Sequence, residues 1–119
     1  MTDYFFDTYA LLRHYWGADS YLPYRETPIV TERTHVFEFA REVLKARGSK
    51  AVLPAITALR ANRLDPRDED LLDAAKLKRK HARLSSADAL GYVLAQRESL
   101  LFLTGDRQFR DMPGVEFVE

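Results

Sequence analysis

The chain has no cysteine, which excludes disulfides, a thiolate nucleophile and any Cys-ligated zinc site. That absence fits a reducing cytosol. Long apolar runs are missing too: nothing approaches the roughly 20 residues that a membrane-spanning helix needs, so no membrane partner is expected. The opening MTDYFFDTYALL has neither a basic n-region nor a long apolar h-region, and no signal peptide is expected. A cytoplasmic location follows as the expectation. Net charge is also absent, since 18 basic residues cancel 18 acidic ones. A module that only grips nucleic acid usually carries a basic excess, because phosphate neutralisation dominates its affinity. Balanced charge argues against such a module and suits an enzyme that keeps acidic residues for a metal. Any basic surface has to be local.

What is present fits one domain over residues 1–119. That length can bury a core without staples, and 46% hydrophobic with 30% charged residues is ordinary for a globular protein. A short apolar stretch at 3–6 is followed by Asp7-Thr8 and then Tyr9-Ala10-Leu11-Leu12, which reads as strand, turn, helix. The segment 21–28 holds two prolines and reads as irregular. Pro28-Ile29-Val30 suits a second strand, with Thr31 or Thr34 capping the next helix. In that helix Val36, Phe37, Ala40, Val43 and Leu44 recur at helical spacing, and Arg47-Gly48 ends it. Ser49 suits the cap of a further helix through Val52, Ile56 and Leu59. Asp65-Pro66 breaks the chain, a charged helix is expected over 68–83, and Ser85 or Ser86 caps another through Ala95. Leu100-Leu101-Phe102-Leu103 is short and continuously apolar, as a buried parallel strand is, and Val115 to Val118 suits a last strand. There is no repeat, low-complexity tract or linker. Short strands alternating with helices predict a three-layer α/β/α fold around a central, mostly parallel sheet of four or five short strands.

Parallel sheets bind ligands beyond the carboxyl ends of their strands. Asp7 directly follows the first expected strand, and Asp106 follows 100–103 after Thr104-Gly105. Glu38 falls in the helix after the second strand, and Asp88 in the first turn of the helix feeding 100–103. In a parallel sheet all four carboxylates can converge. Each also has an ordinary alternative. Asp7 and Asp106 suit helix caps, and Ser85-Ser86-Ala87-Asp88 resembles a capping box. Glu38 resists this reading, because a charge between Phe37 and Phe39 needs a partner if it points inward. The histidines His14, His35 and His81 show no ligand-pair spacing and read as surface or helix residues.

Four motifs in order resemble the PIN domain family, the nuclease fold of VapC-type toxins. Tyr4-Phe5-Phe6-Asp7-Thr8 looks like its opening. Thr31 and Glu38 have the spacing of its strand-ending Ser/Thr and helical Glu, which favours Glu38 over Glu42. Ser86-Ala87-Asp88-Ala89 resembles its third acidic motif. Leu103-Thr104-Gly105-Asp106-Arg107-Gln108-Phe109 matches its TGDxxF signature, followed by Gly114 to Val118. The resemblance runs from Tyr4 to Val118, and only the segment between Trp16 and Pro28 lacks an alignable motif.

The resemblance implies a metal-dependent endoribonuclease, with Asp7, Glu38, Asp88 and Asp106 as catalytic and metal-binding residues. Hard oxygen ligands without His or Cys select Mg²⁺ or Mn²⁺, and a cation relieves the mutual repulsion of the four acids. Asp7 and Asp106 are expected to approach the metal most directly, with Glu38 and Asp88 binding it directly or through water. Thr104 and Thr8 are expected to hydrogen-bond a carboxylate or a phosphate oxygen. RNA as substrate rests on the resemblance alone. Arg107 and Arg110 flank the expected site and are RNA-binding candidates. Lys78, Arg79 and Lys80 lie in the basic run 76–83 and read either as an RNA guide or, preferably, as a solvated face balancing Asp68, Glu69, Asp70 and Asp73. Tyr9, Tyr15, Trp16, Tyr21 and Tyr24 suit core packing or a contact surface. Toxin-type relatives pair as homodimers and are held by a small antitoxin, so both partners are expected. A chain of this length favours the toxin over a housekeeping PIN nuclease of RNA processing or turnover, which more often carries added domains. A non-catalytic PIN-like scaffold binding RNA or protein is disfavoured by the retention of all four acids. In a third alternative, a structural α/β domain, the acids are only helix caps, and tight Mn²⁺ binding would set it apart.

Overall fold

Five short strands and five helices alternate along residues 3–119, the part described by the computed structural model. The strands are β1 (Tyr4–Phe6), β2 (Ile29–Glu32), β3 (Arg63–Leu64), β4 (Leu101–Thr104) and β5 (Val115–Phe117). The helices are α1 (Thr8–Trp16), α2 (Arg33–Arg47), α3 (Ser49–Thr57), α4 (Asp68–Lys80) and α5 (Ser86–Arg97). The sheet order is β3-β2-β1-β4-β5, and every pairing is parallel.

The central strands read as continuous apolar runs because both faces of the sheet are covered. Successive side chains point to opposite faces. Phe5 and Phe102 enter one core with Leu84, Tyr92, Leu94 and Phe109. Phe6 and Leu103 enter the other, against Leu11, Tyr21, Val36, Phe39 and Val43. Helices α1, α2 and α3 thus cover one face, and α4 and α5 the other, which makes three layers. Phe5, Phe6, Phe102 and Phe109 are wholly buried, and each such burial is worth about 1.5–3 kcal/mol.

Several local expectations are corrected. The cap of α2 is Glu32, whose carboxylate accepts from Thr34 N at 3.0 Å. Thr31 is instead buried and donates to Phe6 O at 2.9 Å, tying β2 to β1. Helix α2 turns His35, Val36, Phe39 and Val43 inward, while Phe37 and Leu44 are exposed. His35 is therefore a core residue. Gly48, not Ser49, occupies the cap position of α3, and α4 ends at Lys80. Residues Asp19–Tyr24 form a 3-10 helix with Pro23 inside it, where the prolines suggested irregular chain. Gly17, at φ 71°, turns the chain out of α1 toward this segment. Tyr21 anchors it by burial and by donating to Val118 O at 2.9 Å. Strand β3 has only two residues, too short to show in sequence.

Strand order reverses at β1, since β2 and β3 extend to one side and β4 and β5 to the other. Such a switch point opens a crevice at the carboxyl ends of the diverging strands. Asp7 leaves β1 there, and Asp106 leaves β4 beside it.

Candidate functional site

Asp7 occupies the position between β1 and α1, with its backbone N–H still in the sheet ladder, donating to Leu103 O at 3.3 Å. Its Oδ1 accepts from Ala10 N at 2.8 Å, so it caps α1. Its Oδ2 accepts from the buried Thr104 hydroxyl. The side chain is held at both oxygens and is only 2% exposed. Burial pushes its pKa up to about 7. The hydrogen bonds from Thr104 and Ala10 and the proximity of His35 oppose that rise, and Asp88 adds to it.

Thr104 also links two acids, because its Oγ1 accepts from Asp106 N at 3.0 Å. Asp106 in turn caps the short 3-10 turn Arg107–Phe109 by accepting from Gln108 N at 3.0 Å. Gly105 between them is required by space. A Cβ there would fall 2.1 Å from Tyr9 Cε1 and 2.6 Å from Val118 O. Glu38 projects from the second turn of α2 and accepts from the Thr8 hydroxyl at 2.7 Å. Asp88 lies in the first turn of α5, whose cap Ser85 accepts from its N–H at 3.0 Å. Burial raises the Asp88 carboxyl, and Asp106 and Glu38 raise it further, while Ser85 and His35 pull it down.

These four acids line one cleft of about 600 Å³, together with Thr8, Tyr9, Arg41, Glu42, Ser85 and Arg107 among others. The cap roles and the cleft roles are thus compatible: Asp7 and Asp106 do both. Among the described residues none of the four acids forms an ion pair. Among the described residues, no three acidic or histidine side chains stand close enough to hold one ion as they are oriented. The donor set nevertheless fits a hard divalent cation: four carboxylates, no sulfur or imidazole, and a buried Asp7 without a counter-ion. Binding one would require Glu38, Asp88 or Asp106 to turn toward Asp7.

The basic candidates divide. Arg107 is on the cleft wall, exposed, and donates to Glu119 Oε2 at 3.2 Å. Arg110 stands over the Phe117 ring at 5.7 Å and is outside the cleft lining. Lys78 donates to Ala82 O at 3.3 Å and to Leu84 O at 2.9 Å, closing the end of α4. Arg79 and Lys80 line a separate groove of about 1070 Å³ between α4 and α5. Cleft residues that the motifs did not single out are Tyr9, Arg41, Glu42 and Ser85. Of these, Glu42 was signalled by its four-residue spacing from Glu38.

The PIN domain family model matches residues 4–115. Among solved structures, one chain of a toxin–antitoxin complex from Klebsiella pneumoniae superposes with a TM-score of 0.75 at 19% identity, covering 96% of each chain. The protein PAE2754 of Pyrobaculum aerophilum superposes with a TM-score of 0.70 at 20% identity, over 98% of this chain and 90% of that one. Both show the same fold. No curated protein matches the chain.

Proposed function

Because the chain belongs to the PIN domain family, a family of nucleases, we propose that it is a Mg²⁺- or Mn²⁺-dependent endoribonuclease and the toxin of a toxin–antitoxin pair. The observation that carries the catalytic reading is Asp7. A carboxylate buried without a counter-ion, at the floor of a cleft lined by three further acids, is costly unless a cation sits there.

The chain's own residues hold and orient the acids. Thr104 and Ala10 N fix the two oxygens of Asp7, Thr8 restrains Glu38, and the Thr104 hydroxyl ties the backbone of Asp106 to Asp7. Asp7, Glu38, Asp88 and Asp106 would hold the ion, Asp7 and Asp106 most directly. A bound divalent cation supplies Lewis-acid stabilisation of phosphoryl charge and lowers the pKa of water. Arg107 and Arg41 put positive charge on the cleft wall, where a phosphodiester backbone would lie. Tyr9 closes the side near Gly105.

The toxin reading draws support from the fold shared with the Klebsiella complex. Exposed Phe37 and Leu44 on α2 and Leu53 on α3 offer apolar surface for a second copy of the chain or for an antitoxin. Co-purification of a small protein encoded beside it, whose removal releases cleavage, would support the pairing.

The direct test is cleavage of a mixed RNA pool with Mn²⁺, Mg²⁺ or EDTA, for wild type and Asp106→Asn. Wild type should cut only with metal. The variant should lose roughly a hundredfold or more, since the metal contributes several kcal/mol at the transition state. Undiminished cutting in EDTA or by the variant would remove the carboxylate assignment.

A further inference from the structure

Beneath the carboxylate cleft lies a buried pair that the chemistry above does not use. His35 is wholly buried and Glu32 nearly so. Glu32 Oε1 accepts from His35 Nδ1 at 3.0 Å, from Thr34 N at 3.0 Å, and from the Thr34 hydroxyl. Burial alone would raise the Glu32 carboxyl, but these hydrogen bonds outweigh it and hold the pKa below the ordinary value. A carboxylate accepting at Nδ1 assigns the proton to that nitrogen and leaves Nε2 as the free end. Among the described residues, Nε2 is the buried side-chain polar atom without a partner.

The ring is wedged between elements. It meets Phe5 edge-on, with centroids 5.2 Å apart at 82°. A Cβ on Gly91 would fall 2.7 Å from its Cε1, 2.8 Å from its Nε2 and 2.9 Å from Phe5 Cε1, so the imidazole, with the Phe5 ring beside it, presses on the backbone of α5 where only glycine leaves room. His35 is one turn before Glu38 on α2, and Gly91 is one turn after Asp88 on α5. The imidazole therefore spans the two helices one turn from the acids they carry. Core filling alone does not call for this residue, because an apolar side chain would occupy the space without an unpaired nitrogen.

We propose that His35, held by Glu32, is a positioning residue of the cleft: a wedge between α2 and α5 that sets how Glu38 and Asp88 are presented beside Asp7 to a divalent cation. It touches neither cation nor substrate, and its role rests on the metal-nuclease reading.

The test compares wild type with His35→Leu and Gly91→Ala in three measurements: thermal unfolding, Mn²⁺ affinity from the free-Mn²⁺ paramagnetic resonance signal, and RNA cleavage. His35→Leu should still unfold cooperatively, at a temperature lowered by the one hydrogen bond that the buried Glu32 carboxylate loses. It should also bind Mn²⁺ about 10- to 100-fold more weakly, the usual loss when a supporting partner of a metal site is removed, and cut correspondingly less. Gly91→Ala should weaken Mn²⁺ in the same direction, because its methyl displaces the ring. In a His35→Ala background, where only the Phe5 ring still crowds the added methyl, Gly91→Ala should cost less further affinity than it costs the wild type. A folded His35→Leu protein with wild-type Mn²⁺ affinity and cleavage would reduce His35 to core filling and overturn the proposal. Should His35→Leu fail to fold, Gly91→Ala decides, and unchanged Mn²⁺ affinity there overturns it equally. A wild type that neither binds Mn²⁺ nor cuts RNA removes the nuclease reading itself, and the wedge with it.

Discussion

Asp7 titrates near pH 7 in the folded, metal-free protein and near 3.8 when unfolded, because burial penalises its charged form. Between those values the folded state binds a proton that the unfolded state releases, so this residue's contribution to stability is complete below about pH 4 and is lost as pH rises through about 7. The interval corresponds to about 4 kcal/mol. In EDTA, wild type should therefore lose about 3 kcal/mol of stability between pH 5 and pH 8, the share of that interval lying above pH 5. Asp7→Asn, which keeps an acceptor for Ala10 N, should show a flatter profile and be the more stable protein at pH 8. Denaturant titrations at the two pH values check this, and equal pH dependence would mean that Asp7 is not the uncompensated charge. Gly105 raises a different issue, since its place in the TGD motif was legible but its reason was not. The clash of a Cβ with Tyr9 and Val118 O belongs to packing between residues distant in sequence. Gly105→Ala should destabilise by about 1–3 kcal/mol, measurable as a lowered melting temperature.

At the scale of elements, what could be read from sequence was whatever topology alone determines. Asp7 and Asp106 were legible because each directly follows an apolar strand, and adjacent parallel strands deliver their ends to one edge. The facing of α2 was less legible. Its periodicity suggested a stripe of Val36, Phe37, Ala40, Val43 and Leu44; Val36 and Val43 are buried as expected, but the helix docks with His35 and Phe39 in place of the exposed Phe37 and Leu44. Periodicity counts apolar residues, whereas here the Glu32 carboxylate makes a polar His35 burial-competent and rotates the stripe. The 3-10 segment Asp19–Tyr24 escaped for a related reason. Its order comes from the Tyr21 bond to Val118 O and the Tyr24 bond to Glu116, partners more than 90 residues away. The exposure of Phe37 and Leu44 has a consequence. Phe37→Ser with Leu44→Ser should leave the stability of the monomer within about 1 kcal/mol, as surface changes do. It should shift the molecule toward monomer in sedimentation if α2 pairs with a second copy. A loss of several kcal/mol would mean that these side chains are buried.

Across the whole molecule, charge is balanced in number but not in position, and on the proposed ribonuclease reading this decides where RNA would lie. The basic run at the end of α4 is set apart from the acidic cleft. Lys78 closes the helix, and Arg79 and Lys80 share their groove with Glu69, Asp70 and Asp73. That groove and the acidic cleft have no lining residue in common. Arg107 is on the cleft wall, and its exposed pairing with Glu119 is of the kind that contributes little and exchanges readily. With no net charge to attract RNA at long range, affinity should depend on few phosphate contacts and show a shallow salt dependence. In the Asp106→Asn background with Mg²⁺, where the proposed ribonuclease would bind RNA without cutting it, Arg107→Ala should weaken single-stranded RNA binding. It should also reduce the slope of log affinity against log salt by about 0.7, the loss expected for one phosphate contact. Arg79→Ala with Lys80→Ala should change neither. If instead the double variant lowers affinity and slope while Arg107→Ala does not, the RNA follows the α4–α5 groove and reaches the carboxylates from that side.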